Sequence, residues 1–215
     1  MGQTGYLLRL LSVVVGLIGV PVSVGSVHAE IYVAGQVGYT APNDLSDVQT
    51  VQGISGLGVS DLQLHDSVVY GAKLGYYFSG VKWLGVETEL FHTSPHAKQQ
   101  PVTLAGMTTT SPGFNLNVTT WAINALVRYP GEKFQPYAGV GLGVFFAEAK
   151  FQGQSDKDTV PGLNALAGLR YFLTERVALF AEYKYNRAAF EFTNAIGIKA
   201  DYSANHFLGG LSVHF

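Results

Sequence analysis

Cysteine is absent from all 215 residues. That excludes disulfides, thiolate metal sites, a thiol nucleophile and an acylated lipoprotein cysteine. Charge is scarce as well: Asp, Glu, Lys and Arg make up 13 % of the chain and the formal net charge is −2. So mild a balance points to neither nucleic acid nor an anionic lipid surface as partner. Past residue 29 no run of 18 apolar residues occurs, so no helix is long and greasy enough to span a bilayer. Yet 47 % of the residues are hydrophobic, and the chain carries 26 Gly, 12 Tyr and 13 Phe. Apolar content delivered in alternation rather than in runs is the pattern of a transmembrane β-barrel. In hydrocarbon every backbone N–H and C=O must be paired internally, and a closed sheet does this with no edge.

The first residues differ from the rest. Arg9 is the only charge before the apolar stretch Leu10 to Val24, and Val27-His28-Ala29 places modest or small residues before a cut. This predicts a secretion signal over 1–29, cleaved after Ala29, and a single barrel domain over 30–215. The apolar stretch is interrupted by Pro21 and falls short of a membrane-spanning helix.

Eight period-two segments follow: Ile31–Tyr39, Ser67–Phe78, Trp83–His92, Asn117–Tyr129, Gln135–Ala147, Leu163–Phe172, Val177–Tyr185 and His206–Phe215. In the last of them Phe207, Gly209, Leu211, Val213 and Phe215 share one face, and His206, Leu208, Gly210, Ser212 and His214 the other. The connections alternate in length. Short ones follow the second, fourth and sixth segments, and long ones (40–66, 93–116, 148–162 and 186–205) follow the others. Short periplasmic turns and long external loops are the habit of bacterial barrels, and an even strand count puts both termini in the periplasm. The fold expected is all-β: an eight-stranded, antiparallel, up-and-down transmembrane barrel. A ten-stranded barrel is the rival if 40–66 or 93–116 conceals a hairpin.

Alternation also sorts the charges. Lys73, Glu87, Glu89, Arg128, Arg170, Glu182 and Lys184 fall on the inward face. An eight-stranded barrel is only wide enough for side chains to fill it, and an unpaired buried charge is costly. These seven residues therefore predict a salt-bridged polar plug, with Glu87 and Glu89 meeting Lys73 and Arg128 on the flanking strands. The chemical alternative, general acid/base work by Glu87 and Glu89, needs a substrate that a filled lumen does not admit. Gly139-Val140-Gly141-Leu142-Gly143 lacks the spacing of a dinucleotide fingerprint and has no helix after it. Small inward residues that make room for bulky neighbours are the simpler account. No cofactor or metal is implied; His92 and His96 are two ligands without a third. Aromatics gather near strand ends as candidate girdles: Tyr76, Phe78, Trp83, Tyr129, Phe134, Tyr137, Tyr171, Phe172 and Phe215 at one end, Phe91, Trp121 and Phe146 at the other.

The opening strand Ile31-Tyr32-Val33-Ala34-Gly35-Gln36-Val37-Gly38-Tyr39 resembles the small outer-membrane barrel superfamily that includes the OmpA transmembrane domain, OmpX and OmpW. So do Phe134-Gln135-Pro136-Tyr137-Ala138-Gly139-Val140-Gly141, the segments Tyr171–Thr174 and Leu179–Tyr185, and the terminal strand. The resemblance covers most of 30–215 and is specific for architecture rather than activity. It implies the bacterial outer membrane, with lipid and lipopolysaccharide around the barrel. It also implies that the barrel assembly machinery reads the last strand through Phe215, Val213, Leu211 and Phe207. A monomer and no nucleic acid are expected. Three functions remain: a non-enzymatic surface barrel for membrane integrity, adhesion or interaction through four external loops; a narrow OmpW-like channel for small or hydrophobic solutes; and a lipid A-modifying hydrolase. The last is suggested only by His92-Thr93-Ser94, which resembles the His and Ser, two apart, of outer-membrane deacylases. Pro95 directly after the pair and the want of a carboxylate at matching spacing weigh against it. The acidic residues Asp44, Asp47, Asp61 and Asp66 of the first long connection suggest divalent cations bridging lipopolysaccharide, against the simpler reading of solvated loop charge.

Overall fold

A computed structural model describes residues 30–43, 46–50, 64–97, 100–104, 107–111, 115–151, 154–192 and 198–215. The segment 1–29 and its expected cleavage lie outside these residues, as do Asp44 and Asp61. Eight long strands form the wall: β1 (Glu30–Pro42), β2 (Ser67–Tyr77), β3 (Leu84–Thr93), β4 (Asn115–Arg128), β5 (Phe134–Phe151), β6 (Gln154–Phe172), β7 (Val177–Phe192) and β8 (Ile198–His214). Each pairs antiparallel with its neighbours in sequence. β1 then pairs with β8, from Tyr32 opposite His214 to Pro42 opposite Ala204, and the sheet closes. The ladder is continuous because side chains alternate: Ile31, Val33, Val37 and Tyr39 are exposed on the outside, while Tyr32, Ala34 and Gln36 are buried inside.

Strand order and closure follow the expectation; strand lengths do not. β6 begins nine residues earlier than the alternation indicated, and β7 and β8 extend by seven and eight residues toward one another. The segments 148–162 and 186–205 are therefore mostly hairpin rather than loop, paired as far as Phe151 with Gln154 and Phe192 with Ile198. Ser155-Asp156-Lys157-Asp158 is too polar to read as a strand, yet its backbone is satisfied by β5, with Ser155 and Lys157 exposed and Asp156 buried on the opposite face. Pairing of β6 with β7 stops at Gly162 opposite Ala188, one residue short of Pro161, which has no N–H to give.

A further hairpin does occur in 93–116, Gln100–Leu104 with Met107–Ser111. It forms its own two-stranded sheet and adds nothing to the wall. Three short strands trim the same end of the barrel: Ser46–Thr50 pairs with β8, and Leu64–His65 with His96–Ala97.

The outward face marks its own boundaries. At the short-turn end Phe78, Trp83, Tyr129, Phe134, Tyr171 and Phe215 are exposed. At the hairpin end the apolar band gives way to polar pairs: Tyr39 with Asp66, Tyr183 with Asn205 at 2.7 Å, Asn43 with Ser203 at 2.8 Å, and Arg187 with Asp201 at 3.0 Å. Three aromatics assigned to the girdles belong elsewhere. Phe91 and Tyr137 are buried in the lumen, because their strand parity places them beside Glu89 and Gly139 on the inward face, and Phe172, on the same face as Arg170, packs against buried His214.

Candidate functional site

The lumen is built from one inward layer after another. In its middle layers Lys73 Nζ lies 2.6 Å from Glu182, 3.1 Å from Glu87 and 3.7 Å from Glu89. Lys184 bonds Glu89 and lies 3.4 Å from Glu182. All five side chains are at most 4 % exposed. The remaining lone pairs are taken by neutral donors. Tyr32 donates to Glu87 at 2.5 Å and Tyr137 to Glu182 at 2.9 Å. Asn124 and Asn164 donate to Glu89 at 3.0 and 2.7 Å, and Asn186 continues the chain onto Asn164. Such dense satisfaction is what lets ionised groups persist away from water.

Arg170 is brought to this cluster but meets rings instead of carboxylates. Its guanidinium carbon lies 4.4 Å from the Tyr32 ring centroid and 5.2 Å from that of Tyr137. Through those two tyrosines it is one step from Glu87 and Glu182. Glycines make the space: a Cβ on Gly75 would fall 2.2 Å from the Tyr32 ring, and one on Gly168 2.6 Å from Tyr137.

Arg128 does not meet Glu87 or Glu89, contrary to expectation. Glu87 stands opposite Asn124, and Arg128 is four residues further along β4, about 13 Å down the strand. At that level it pairs instead with Glu30, 2.6 Å away, and donates to Gln135 at 3.1 Å. His214 Nδ1 shares Glu30 at 2.7 Å, and its Nε2 faces Ser212 Oγ at 2.9 Å. Ser212, His214 and Glu30 thus stand in the order of a hydrolytic relay. Ser212 is fully buried, however, and His214 is walled by Tyr32 and Phe172 with centroids 5.1 and 4.8 Å away. No substrate reaches that hydroxyl in this arrangement. Sequence reasoning gives Glu30, His214 and Tyr32 no part in the lumen network, and it assigns Tyr137 to a girdle. Strand parity places each of them inward, but which inward groups touch across the lumen depends on stagger, which parity does not carry.

Above the charged layer the lumen mixes apolar side chains with a few buried polar ones. The Phe91 ring lies over Lys184 Nζ at 4.4 Å and edge-on to His206 at 5.6 Å. His206, Thr40 and Thr93 form a hydroxyl–imidazole chain at 2.8 and 3.0 Å. Leu116, Val118, Phe145, Ala147, Phe190 and Tyr202 are buried beyond them.

On the outside, His92 Nε2 is 3.0 Å from Ser94 Oγ, so the pair noted in the sequence does meet. The other nitrogen, Nδ1, faces the Thr119 hydroxyl at 2.9 Å, where a relay would need a carboxylate. Among the described residues no group of three or more His, Asp or Glu is placed to hold a metal ion.

The model of the outer membrane protein beta-barrel domain family matches residues 10–215. Among curated proteins none matches the sequence. Among solved structures, OprG from Pseudomonas aeruginosa is similar at 16 % identity and a TM-score of 0.59, covering 87 % of this chain and 96 % of its own. The neisserial surface protein NspA is similar at 17 % identity and a TM-score of 0.53, covering 87 % and 99 %. AlkL, solved in lipid bilayers, is similar at 16 % identity and a TM-score of 0.51, covering 92 % and 95 %. At such identities the likeness is one of fold.

Proposed function

The chain belongs to the outer membrane protein beta-barrel domain family and hence to the bacterial outer membrane, and from that premise we propose that it is a sealed, non-enzymatic surface barrel. It serves membrane integrity, adhesion or interaction through the elements at its hairpin end. One observation carries this reading: the five-residue ion cluster around Lys73 and Lys184 is buried and bonded on every side, with an aromatic lid at Phe91 and further buried side chains above. A lumen so filled leaves recognition to the outside.

In this reading both termini are periplasmic, the short turns face the periplasm, and the hairpins β5–β6 and β7–β8 stand outside the cell. Residues 1–29 are the export signal. The partners are outer-membrane lipid, lipopolysaccharide and the barrel assembly machinery; nucleic acid is not one, and the barrel acts as a monomer. The His92–Ser94 contact is a rim hydrogen bond rather than a hydrolytic pair, since Thr119 occupies the position of the acid.

Planar-bilayer recording of the purified barrel tests the seal. No stable openings are expected from the wild type. Steady openings would overturn the sealed lumen and favour the narrow channel. Unchanged lipid A acylation in cells carrying the wild type, His92→Ala or Ser94→Ala is expected; loss of a deacylated species in either variant would establish the hydrolase instead.

A further inference from the structure

The outward face of β3–β6 is apolar through Leu90, Leu142, Leu163 and Phe146, and then changes abruptly. Immediately above, His92, Asn117, Thr119, Glu148, Lys157 and Thr159 line a cleft of about 460 Å³ with Phe146 at its base. Its depth in the membrane follows from strand geometry. Phe134 and Phe146 lie twelve steps apart on β5, which at the usual rise and tilt is about 30 Å along the barrel axis. The apolar band of such barrels is about 25 Å tall. The cleft therefore stands at the level of the lipid headgroups. Lys157 lines it, with Nζ 3.6 Å from Glu148, and Lys150, outside the lining, reaches the same carboxylate at 3.2 Å; the side chains of Lys150 and Lys157 are 53 % and 75 % exposed. Ser155 donates to the same carboxylate at 2.8 Å, and this bond, with the lysines, holds Glu148 ionised below its ordinary range.

We propose that this cleft binds the phosphorylated sugar headgroup of an outer-leaflet glycolipid. The assignment rests on the reading that the hairpin end faces outward. Three features of the cleft fit three parts of that ligand. Lys150 and Lys157 are mobile point charges suited to a phosphate. Asn117, Thr119, Thr159 and Glu148 offer the mixed donors and acceptors that sugar hydroxyls need. Phe146 and the leucines below it take the first methylenes of the acyl chains. Phosphatidylglycerol brings phosphate and chains but no hydroxylated ring; free phosphate brings neither ring nor chains. Glu148 and Asp158 offset the two lysines, so general attraction to an anionic surface does not account for the cleft.

The full chain, folded in nanodiscs, is titrated with diphosphorylated lipid A. Parallel arms use dephosphorylated lipid A, phosphatidylglycerol and inorganic phosphate, and native mass spectrometry counts bound ligand. Binding at least tenfold weaker is expected for the dephosphorylated lipid and for the Lys150→Gln/Lys157→Gln variant. Thr119→Val should weaken binding severalfold, and Arg176→Gln at the opposite end should leave it unchanged. Equal binding by the double lysine variant, equal competition by phosphatidylglycerol, or no glycolipid binding at all overturns the site. The lysines are exposed, so heat-modifiable gel mobility should show the variants folded. Orientation is tested separately with Lys157→Cys and an impermeant maleimide on intact cells. Labelling only after permeabilisation overturns the outward-facing reading, whatever the titration gives.

Discussion

Arg128 on β4 grips Glu30 on β1 with both prongs of its guanidinium, Nη1 to Oε1 at 2.7 Å and Nη2 to Oε2 at 2.6 Å. The two strands are not neighbours in the wall, so the pair spans the mouth of the barrel as a brace. Arg128 also lies over the Tyr77 ring at 3.6 Å and donates its Nε–H to the Lys82 carbonyl. Glu30→Ala would leave that nearly buried guanidinium without its anion. A charged hydrogen bond of this kind is worth about 1.5–3 kcal/mol, and the partial exposure of Glu30 places the expected loss near the lower end. Urea unfolding in micelles should show a lower midpoint with an unchanged slope; an unchanged midpoint would mean that the brace contributes nothing.

Much of this architecture is legible in the sequence, for a physical reason. Parity along a strand is fixed by the pleat, so Lys73, Glu87, Glu89, Asn124, Asn164, Glu182 and Lys184 could be turned inward without any coordinates. Contacts between adjacent strands, such as Lys73 with Glu89, follow from register. Contacts across the lumen do not. Lys73 with Glu182 joins β2 to β7, and Glu30 with Arg128 joins β1 to β4; both depend on barrel stagger, which no local pattern encodes. The strand ends are not legible where polar sequence continues the hairpins, since the apolar alternation that marks a strand stops before the pairing does.

Lys184 and Glu89 should behave as a unit. Lys184→Met removes the ammonium bonded to Glu89 and leaves a carboxylate more buried than any other in the lumen. Fully stranding one partner of a buried pair costs about 3–5 kcal/mol; Glu89 keeps Lys73 at 3.7 Å and the two Asn donors, so the loss should fall below that range. Glu89→Gln alone should also destabilise, because it leaves Lys184 only the longer ion pair with Glu182 at 3.4 Å. The double variant should lose clearly less than the sum of the two, giving a coupling energy on the order of 1–3 kcal/mol. A strictly additive cycle in micellar urea unfolding would dissociate the pair.

Two glycines on the same sheet should respond oppositely to alanine. At Gly75 the new Cβ would fall 2.2 Å from the Tyr32 ring and 2.5 Å from its hydroxyl, which holds Glu87. At Gly35, on the outward face, it would meet nothing within 4 Å. Gly75→Ala should cost about 1–3 kcal/mol, the usual penalty of overpacking, and Gly35→Ala should stay within about 0.5 kcal/mol of wild type. Equal effects in denaturant titration would show that the lumen repacks around Tyr32.

Phe215 is expected to matter for assembly more than for stability. Its ring is 73 % exposed on the outward side, and Val213, Leu211 and Phe207 continue the same exposed face along β8. Its backbone N–H donates to the Ile31 carbonyl at 2.9 Å, the last bond of the β1–β8 seam. Phe215→Ser keeps that backbone bond and removes the ring. A terminal ring contributes at most roughly 1.5–3 kcal/mol of burial, and one this exposed contributes less, too little to undo a wall closed along its whole length. If the barrel assembly machinery reads this face, the variant should accumulate in the outer membrane at a small fraction of the wild-type level. The same protein, purified and refolded in detergent, should recover the heat-modifiable mobility shift of the wild type. Normal membrane levels in cells would show that the ring is no signal; failure to refold in detergent would show that it is a structural element of the seam.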